Sequence, residues 1–428
     1  MKRKKIFTLC LIFILLFSSF GVYAAGSTKT KDLTSTINVT RSKGRKMKTS
    51  EVNKLTSASF RLLKGTMKNE DSNKNVLISP TSIMFAFGLA ENGARSKTRC
   101  QMENVINGGV KTGDTNKILC NLMNSLENSD EVEWNVANSV WIRDRKDVKV
   151  KKSYLRTSAL YYDAEIFKAP FDGNTVKDVN GWVKKNTNNM IPKIVNHFDE
   201  DTIMCLINAM AFEGTWQEPF EKERIHKNQI FTNLDGSKSR VTMMNGSVSG
   251  YFELNGAKGF KKYYKGGQYA FVGIEMPENV KPVDYISKLS KNGAAFNRAL
   301  SKMKYDRKVS ISVPKFEVDY DTEMSKNLKK MGITCAFNPE KANLYNMFEK
   351  DKDSNYFISK VIHKTHIEVD KNGTKAAAAT AVLIDKNTTV VDPKMPISIN
   401  LDHPFVYAIV DTDTNLPLYI GCTNTLGK

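Results

Sequence analysis

Thr202-Ile-Met-Cys-Leu-Ile-Asn-Ala-Met-Ala-Phe212 is an almost unbroken apolar run of branched, sulfur-bearing and aromatic side chains. Its length suits a strand, in which successive residues face opposite ways. A strand without polar alternation has to be covered on both faces, so this one lies inside a large sheet. Outward from it, Trp134 to Ile142 reads as a strand. So do Phe271-Val-Gly-Ile-Glu-Met276, Val309-Ser-Ile-Ser-Val313, Tyr356 to Val369 and Phe405 to Val410. The N-terminal half leans to helix. Ser79-Pro80 sets a proline where a helix begins, and Ser82 to Gly93 carries Met84, Phe85, Phe87, Leu89 and Ala90. Val179 to Ile194, with Val179, Trp182, Val183 and Met190, has helix-compatible spacing. Helices early, with strands interspersed and then dominant, specify an α+β fold with large, mainly antiparallel sheets.

The chain has 428 residues, 41% of them hydrophobic, which is enough for a sizeable core and excludes disorder throughout. Met1-Lys-Arg-Lys-Lys5 is a positive start, Ile6 to Phe17 an apolar run, and Val22-Tyr23-Ala24 a small-residue cleavage site. Residues 1–24 therefore read as a signal peptide, the apolar run being shorter than the roughly 20 residues of a spanning helix. The mature chain is expected to be exported, extracellular and soluble. Residues 25–50, with the cluster Arg41-Ser-Lys-Gly-Arg-Lys-Met-Lys48, read as a flexible basic tail, and the globular part starts at Glu51. The net charge of +19 suits acidic surfaces or polyanions, but lysines spread over solvated faces are the better account of it. No basic stripe with interleaved aromatics points to nucleic acid. Losing Cys10 leaves Cys100, Cys120, Cys205, Cys335 and Cys422, an odd and irregular set with no disulfide framework and no zinc spacing.

Catalytic motifs are missing. His363-Lys-Thr-His366 is not a zinc helix motif, and its neighbours alternate as a strand, which sends the two rings to opposite faces. His363 then shares a face with Val361, Thr365, Ile367 and Val369 and reads as a core histidine. Gly246-Ser-Val-Ser-Gly250 has Val248 where a nucleophile elbow needs serine. Asn107-Gly-Gly109 and Lys265-Gly-Gly267 lack phosphate-loop spacing. No metal site, cofactor or enzymatic activity is expected.

One segment resists an ordinary structural reading. Asn372-Gly373 is a turn signal, and Thr374-Lys-Ala-Ala-Ala-Ala-Thr-Ala-Val-Leu-Ile384 follows it. Four alanines favour helix. The alternate set Thr374, Ala376, Ala378, Thr380, Val382 and Ile384 is equally compatible with a buried strand, small side chains meeting little resistance on entering a packed sheet.

From about residue 51 to 428 the chain resembles the serpin family, through motifs in family order. These are Asn75-Val-Leu-Ile-Ser-Pro-Thr-Ser82 with Gly93-Ala-Arg-Ser-Lys-Thr98; Val179-Asn-Gly-Trp-Val-Lys-Lys-Asn-Thr187; and Leu206-Ile-Asn-Ala-Met-Ala-Phe-Glu-Gly-Thr-Trp216. Val313-Pro-Lys-Phe316, Met331-Gly-Ile333 and Ser359-Lys-Val-Ile-His-Lys364 follow. Gly373-Thr-Lys-Ala-Ala-Ala-Ala-Thr380, His403-Pro-Phe405 and Leu418-Tyr-Ile-Gly421 complete the set. The resemblance implies one domain of three mainly antiparallel sheets and about nine helices, with an exposed reactive loop near residues 373–396. It also implies a monomeric suicide inhibitor, whose target protease is acylated by the loop and dragged away as the hinge inserts into the large sheet.

On this resemblance the hinge is Gly373, Thr374, Lys375, Ala376, Ala377, Ala378, Ala379 and Thr380. Ser79, Ser82, Asn208 and His363 match the polar cluster where the sheet strands part, and Trp216 the tryptophan near initial insertion. Family spacing sets the reactive bond at Asn387-Thr388, whereas Lys386-Asn387 suits a trypsin-like serine protease, which the chemistry favours. Lys371, Asn372 and Lys375 replace acids common in the family, so the salt bridge often made by the first of those acids is absent or rearranged. The alternatives are a cysteine protease as the target, a non-inhibitory carrier, chaperone or storage serpin, and a polyanion-binding secreted protein.

Overall fold

A computed structural model describes residues 30–127, 131–349, 356–374 and 395–427; the expected signal peptide lies outside them. Nine α-helices are present among the described residues: α1 (Thr49–Met67), α2 (Pro80–Gly93), α3 (Ser96–Ile106), α4 (Thr112–Glu127), α5 (Lys152–Tyr162), α6 (Gly173–Asn186), α7 (Pro282–Lys291), α8 (Gly293–Ser301) and α9 (Ser325–Met331). The strands up to the middle of the chain are β1 (Lys31–Asp32), β2 (Val76–Ile78), β3 (Val132–Arg143), β4 (Glu165–Ala169), β5 (Met204–Thr215), β6 (Ile225–Thr232), β7 (Lys238–Val248) and β8 (Tyr251–Leu254). Then come β9 (Ala257–Tyr263), β10 (Tyr269–Glu275), β11 (Val309–Pro314), β12 (Phe316–Glu323), β13 (Lys360–Val369), β14 (Gly373–Thr374), β15 (Ile397–Asn400), β16 (Phe405–Asp411) and β17 (Pro417–Thr423).

They form three sheets, of seven strands in the order β1-β4-β3-β5-β14-β13-β12, six in the order β2-β17-β16-β10-β9-β8, and four in the order β15-β11-β7-β6. Pairings β3–β4, β5–β13 and β11–β15 are parallel and the other strand pairings antiparallel, in keeping with the mainly antiparallel α+β expectation.

β5 is covered on both faces, for an identifiable reason. Leu206, Met210 and Phe212 join the main core beneath the sheet, where α2 lies between β5 and β17. Cys205, Ile207 and Ala209 face the other way and pack with Val179 and Val183 of α6, together with Trp141 and Phe167. The Cys205 thiol is fully buried and pushed up to about 12 by desolvation, so it behaves as a small hydrophobe. α2 begins as its sequence dictates: Pro80 opens the first turn, and the Ser79 hydroxyl accepts from the Ser82 N–H at 3.2 Å.

Two expectations change. The helix read over Val179 to Ile194 ends at Asn186, because Thr187 caps it and Asn188 and Asn189 turn left-handed at φ 47° and 63°. The tail is not free either. Lys31–Asp32 adds a strand to the edge of the large sheet beside β4, and Leu33, Ile37 and Met47 pack on the core. Gly44, at φ +66°, crosses α4 so closely that a Cβ would lie 2.2 Å from the Lys117 carbonyl oxygen. Arg45 pairs with Glu51 and Asp114, each at 2.7 Å, and Arg41 with Glu127. From residue 30 the basic segment is therefore a strap over β4, α5 and α4, its apolar residues and two of its arginines having found partners.

Candidate functional site

The large sheet is closed at one end and forked at the other. Parallel pairing of β5 with β13 runs from Cys205 opposite Lys360 to Ala209 opposite Lys364 and then stops. Five residues on, Thr374 is paired with Gly214 on one side and Val369 on the other. Two strand spacings, about 9.6 Å, therefore separate the arms at the top. Each arm keeps its outer neighbour, β3 along β5 and β12 along β13. The segment expected to be the hinge begins in the open end of this fork.

Gly373 and Thr374 are held there by backbone proximity and one buried hydroxyl. The turn before them is closed by the Asp370 carboxylate, which accepts from the N–H groups of Asn372 (2.7 Å) and Gly373 (3.1 Å). A Cβ on residue 373 would lie 2.0 Å from the Gly214 carbonyl oxygen, so glycine is required by the closeness of β5 and not by a left-handed backbone. Thr374 is 1% exposed and its Oγ1 meets Tyr264 Oη at 2.5 Å. Tyr264 stacks on Trp216 with ring centroids 4.5 Å apart. Trp216 in turn holds the turn, its indole N–H donating to the Asp370 carbonyl at 2.9 Å and its backbone N–H to the Asn372 carbonyl at 2.8 Å. Nearby, Lys315 pairs with Glu368 at 3.4 Å, while Lys371 is exposed.

The polar cluster lies at the crotch of the fork. His363 and Asn208 face each other in the last but one pairing before the strands part. His363 is buried with Val361, Thr365, Ile367 and Val369, as its alternation requires, while His366 points to the other face and meets Asp319 at 2.8 Å. Desolvation pushes His363 down to about 4, so the ring is neutral, and its Nε2 accepts from the Ser79 N–H at 3.1 Å. The Ser79 hydroxyl donates to the Leu418 carbonyl at 2.8 Å, tying the cluster to the six-stranded sheet. Asn208 donates to Asn138 on β3; its own Oδ1 and the Ser82 Oγ are buried with no partner among the described residues. Ser79, Ser82, Asn208 and His363 are thus brought together, and Trp216 lies apart from them at the open end. Asn138, Tyr264 and Asp370 were not singled out from the sequence. Asn138 carries no distinct signal, because its strand also holds Asn135 and Ser139 and exposes Glu133.

A family model described as "Serpin (serine protease inhibitor)" matches residues 53–425. The chain belongs to the serpin family. Among curated relatives, mouse neuroserpin is 28% identical over 375 residues, covering 84% of this chain and 87% of that one. Among solved structures, a thermophilic serpin, tengpin, in its native state superposes with a TM-score of 0.85 at 36% identity, covering 93% of this chain and all of that one. The latent state of tengpin gives 0.75 at 35% identity, over 90% of this chain and all of that one. A thyroxine-binding globulin in complex with thyroxine, 20% identical, shares the fold at a TM-score of 0.75, over 89% of this chain and all of that one. Serpins are generally protease inhibitors and not catalysts, and the curated homologues include secreted proteins. In this serpin, Lys375, Ala376, Ala377, Ala378, Ala379 and Thr380 of the hinge and the bond region Lys386, Asn387 and Thr388 lie outside the described residues. No helix among the described residues is long and apolar enough to cross a membrane.

Proposed function

We propose that this serpin is a secreted suicide-substrate inhibitor of a serine protease, with a trypsin-like target. The observation that carries the reading is the fork, a gap one strand wide whose mouth is already occupied by the first two hinge residues, small and buried. The target's serine attacks the carbonyl of the reactive residue, the new amine leaves with the C-terminal fragment, and an ester joins protease to loop. The freed hinge then has one direction of travel, down the fork towards His363 and Asn208.

About ten new strand hydrogen bonds at a net ~1 kcal/mol each supply on the order of 10 kcal/mol. About fourteen inserted residues at ~3.3 Å each carry the ester-linked protease roughly 45 Å, across the domain. Ala376, Ala378 and Thr380, at the alternating positions after Thr374, offer little steric resistance to that movement. A contact with a polyanion, drawn by the charge of +19, would be a separate and salt-sensitive property.

The test is incubation with a panel of serine proteases, followed by denaturing gels and mass spectrometry of the released peptide. Inhibition gives an SDS-resistant complex, and the new N-terminus distinguishes cleavage at Lys386-Asn387 from cleavage at Asn387-Thr388. Clean loop cleavage without complex across the panel rejects the inhibitory reading in favour of a passive serpin.

A further inference from the structure

β9 carries two adjacent lysines, Lys261 and Lys262, each only 6% exposed. Neighbouring strand residues point to opposite faces. Lys261 accordingly donates to Asn415 Oδ1 at 2.7 Å, beside the turn between β16 and β17. Lys262 lies over the rings of Phe220 (4.3 Å to the centroid) and Trp216 (5.6 Å) and donates to the Glu218 carbonyl at 2.6 Å. Among the described residues neither ammonium has a carboxylate in ion-pair contact; the Glu218 carboxylate, on an exposed residue, acts on Lys262 only at longer range. Buried charges are ordinarily paired, and an ammonium without a counter-charge is costly. Desolvation accordingly pulls both lysines down to about 8.

Lys262 borders a pocket of about 360 Å³, which Gln217, Ser247, Ser249 and Lys261 also line, together with Glu218, the one carboxylate-bearing residue of the lining, against which an anion would have to be held by the two lysines. Both serines belong to the Gly246-Ser-Val-Ser-Gly250 segment, which has no role in the inhibitory reading; it ends β7 and is no nucleophile turn. Their hydroxyls and the Gln217 amide make no intramolecular hydrogen bond among the described residues, which leaves hydrogen-bond donors free around a buried cation.

We propose that this pocket binds a small oxyanion, such as sulfate, phosphate or a short carboxylate, with the Lys262 ammonium as counter-charge and Ser247, Ser249 and Gln217 as neutral donors. Hydrogen bonds between an ionised group and neutral donors are the strong class; here the donors lie on the exposed rim and the buried Lys262 lies at the base. The site also communicates with the hinge. Phe220, whose ring Lys262 covers, donates its backbone N–H to the Lys371 carbonyl at 2.9 Å, and Trp216 holds Asp370 and Asn372. An occupied pocket fixes both rings and with them the turn from which the hinge enters the sheet.

The test needs no protease, so it stands apart from the inhibitory reading. Thermal unfolding at pH 7 is followed while sulfate, phosphate or citrate is titrated against chloride at matched ionic strength, with calorimetric titration of the same anions. Sulfate stabilises many proteins by exclusion from their surface, so the readout is the saturable part of the shift and its dependence on Lys262. The wild type should show a saturable rise in Tm for at least one of these anions. Lys262→Met should lose it, and Ser247→Ala with Ser249→Ala, at exposed positions, should weaken it. No saturable rise in the wild type, or an equal one in Lys262→Met, overturns the proposal. If Lys262→Met does not fold, the serine double variant decides: undiminished binding in it overturns the proposal.

Discussion

Replacing Gly373 by alanine tests whether the hinge is seated in the sheet. The new Cβ would lie 2.0 Å from the Gly214 carbonyl oxygen, 2.8 Å from Thr215 Cα and 3.0 Å from the Gly214 carbonyl carbon. All are backbone atoms of β5, which is paired with β3 on its far side up to Gly214, so no side-chain rotation relieves the overlap. β14 has to leave the fork. The bond between Thr374 Oγ1 and Tyr264 Oη goes, as does that from the Asp370 N–H to the Gly373 carbonyl, and the Tyr264 hydroxyl is left buried without a partner. At about 1 kcal/mol for each bond and about 1–2 kcal/mol for an orphaned hydroxyl, the loss is about 3–4 kcal/mol. With an unfolding entropy of about 2.1 cal/mol/K per residue over the family-matched span 53–425, Tm should fall by about 4–5 °C. Gly181→Ala in α6, where a Cβ meets nothing within 4 Å, is the control and should gain up to about 1 kcal/mol. Scanning calorimetry gives the shift, and limited proteolysis across the hinge reports its release. A Gly373→Ala protein that melts with the wild type and is cut at the same rate would refute the reasoning.

Thr374→Arg puts a guanidinium where the wild-type side chain is already 1% exposed in the fork, so the variant hinge leaves the fork and has to bury the charge to insert, at a cost of several kcal/mol. Deacylation should then outrun trapping, so that gels show cleaved inhibitor in place of complex; an undiminished complex yield would remove Thr374 from the mechanism. Glu91 is fully buried, accepts from Asn107 and Thr112, and is lifted by desolvation to about 8. Its folded pKa lies above the unfolded value of about 4.3, so its stability is complete below that value and is lost as pH rises to about 8. The stability gain of Glu91→Gln over wild type, from denaturant melts, should therefore grow by about 1.4 kcal/mol per pH unit from pH 5 to 8, and a flat difference would contradict the burial. Deleting residues 30–47 removes Leu33, Ile37 and Met47 from the core surface, about 1 kcal/mol for each partly buried side chain, and breaks the Arg45 pairs. Tm should fall by about 4 °C, and an unchanged melt would mean that the strap does not dock.

Features set by local pattern were legible in the sequence. The double cover of β5, the proline start of α2 and the inward face of His363 each follow from alternation or capping within a few residues. The fork was not legible from alternation. Alternation tells which face a residue occupies, whereas the point at which β5 and β13 part depends on where two distant strands fall in register. In the sequence Gly373 reads as a turn residue; its actual constraint is the Gly214 carbonyl, some 160 residues away in sequence. The strap was missed for the same kind of reason. Leu33, Ile37 and Met47 are too sparse for any period, and only the surface assembled from β4, α4 and α5 makes them meaningful.

The two ends of the loop are sewn into different sheets. Thr374 ends β14 in the seven-stranded sheet, and Ile397–Asn400 runs parallel to β11 in the four-stranded one, with Ile397 opposite Val309 and Asn400 opposite Ser312. If the hinge travels down the fork as proposed, its advance with residues 375–396 uncut is limited by β15, which would have to tear from its neighbour. A cut anywhere between the two anchors removes that restraint at once, and the new ends then belong to bodies that no longer pull on each other. On the inhibitory reading proposed above, covalent continuity is the timer of this molecule: the fold holds the wound state, and the protease that cuts the loop decides when it runs down.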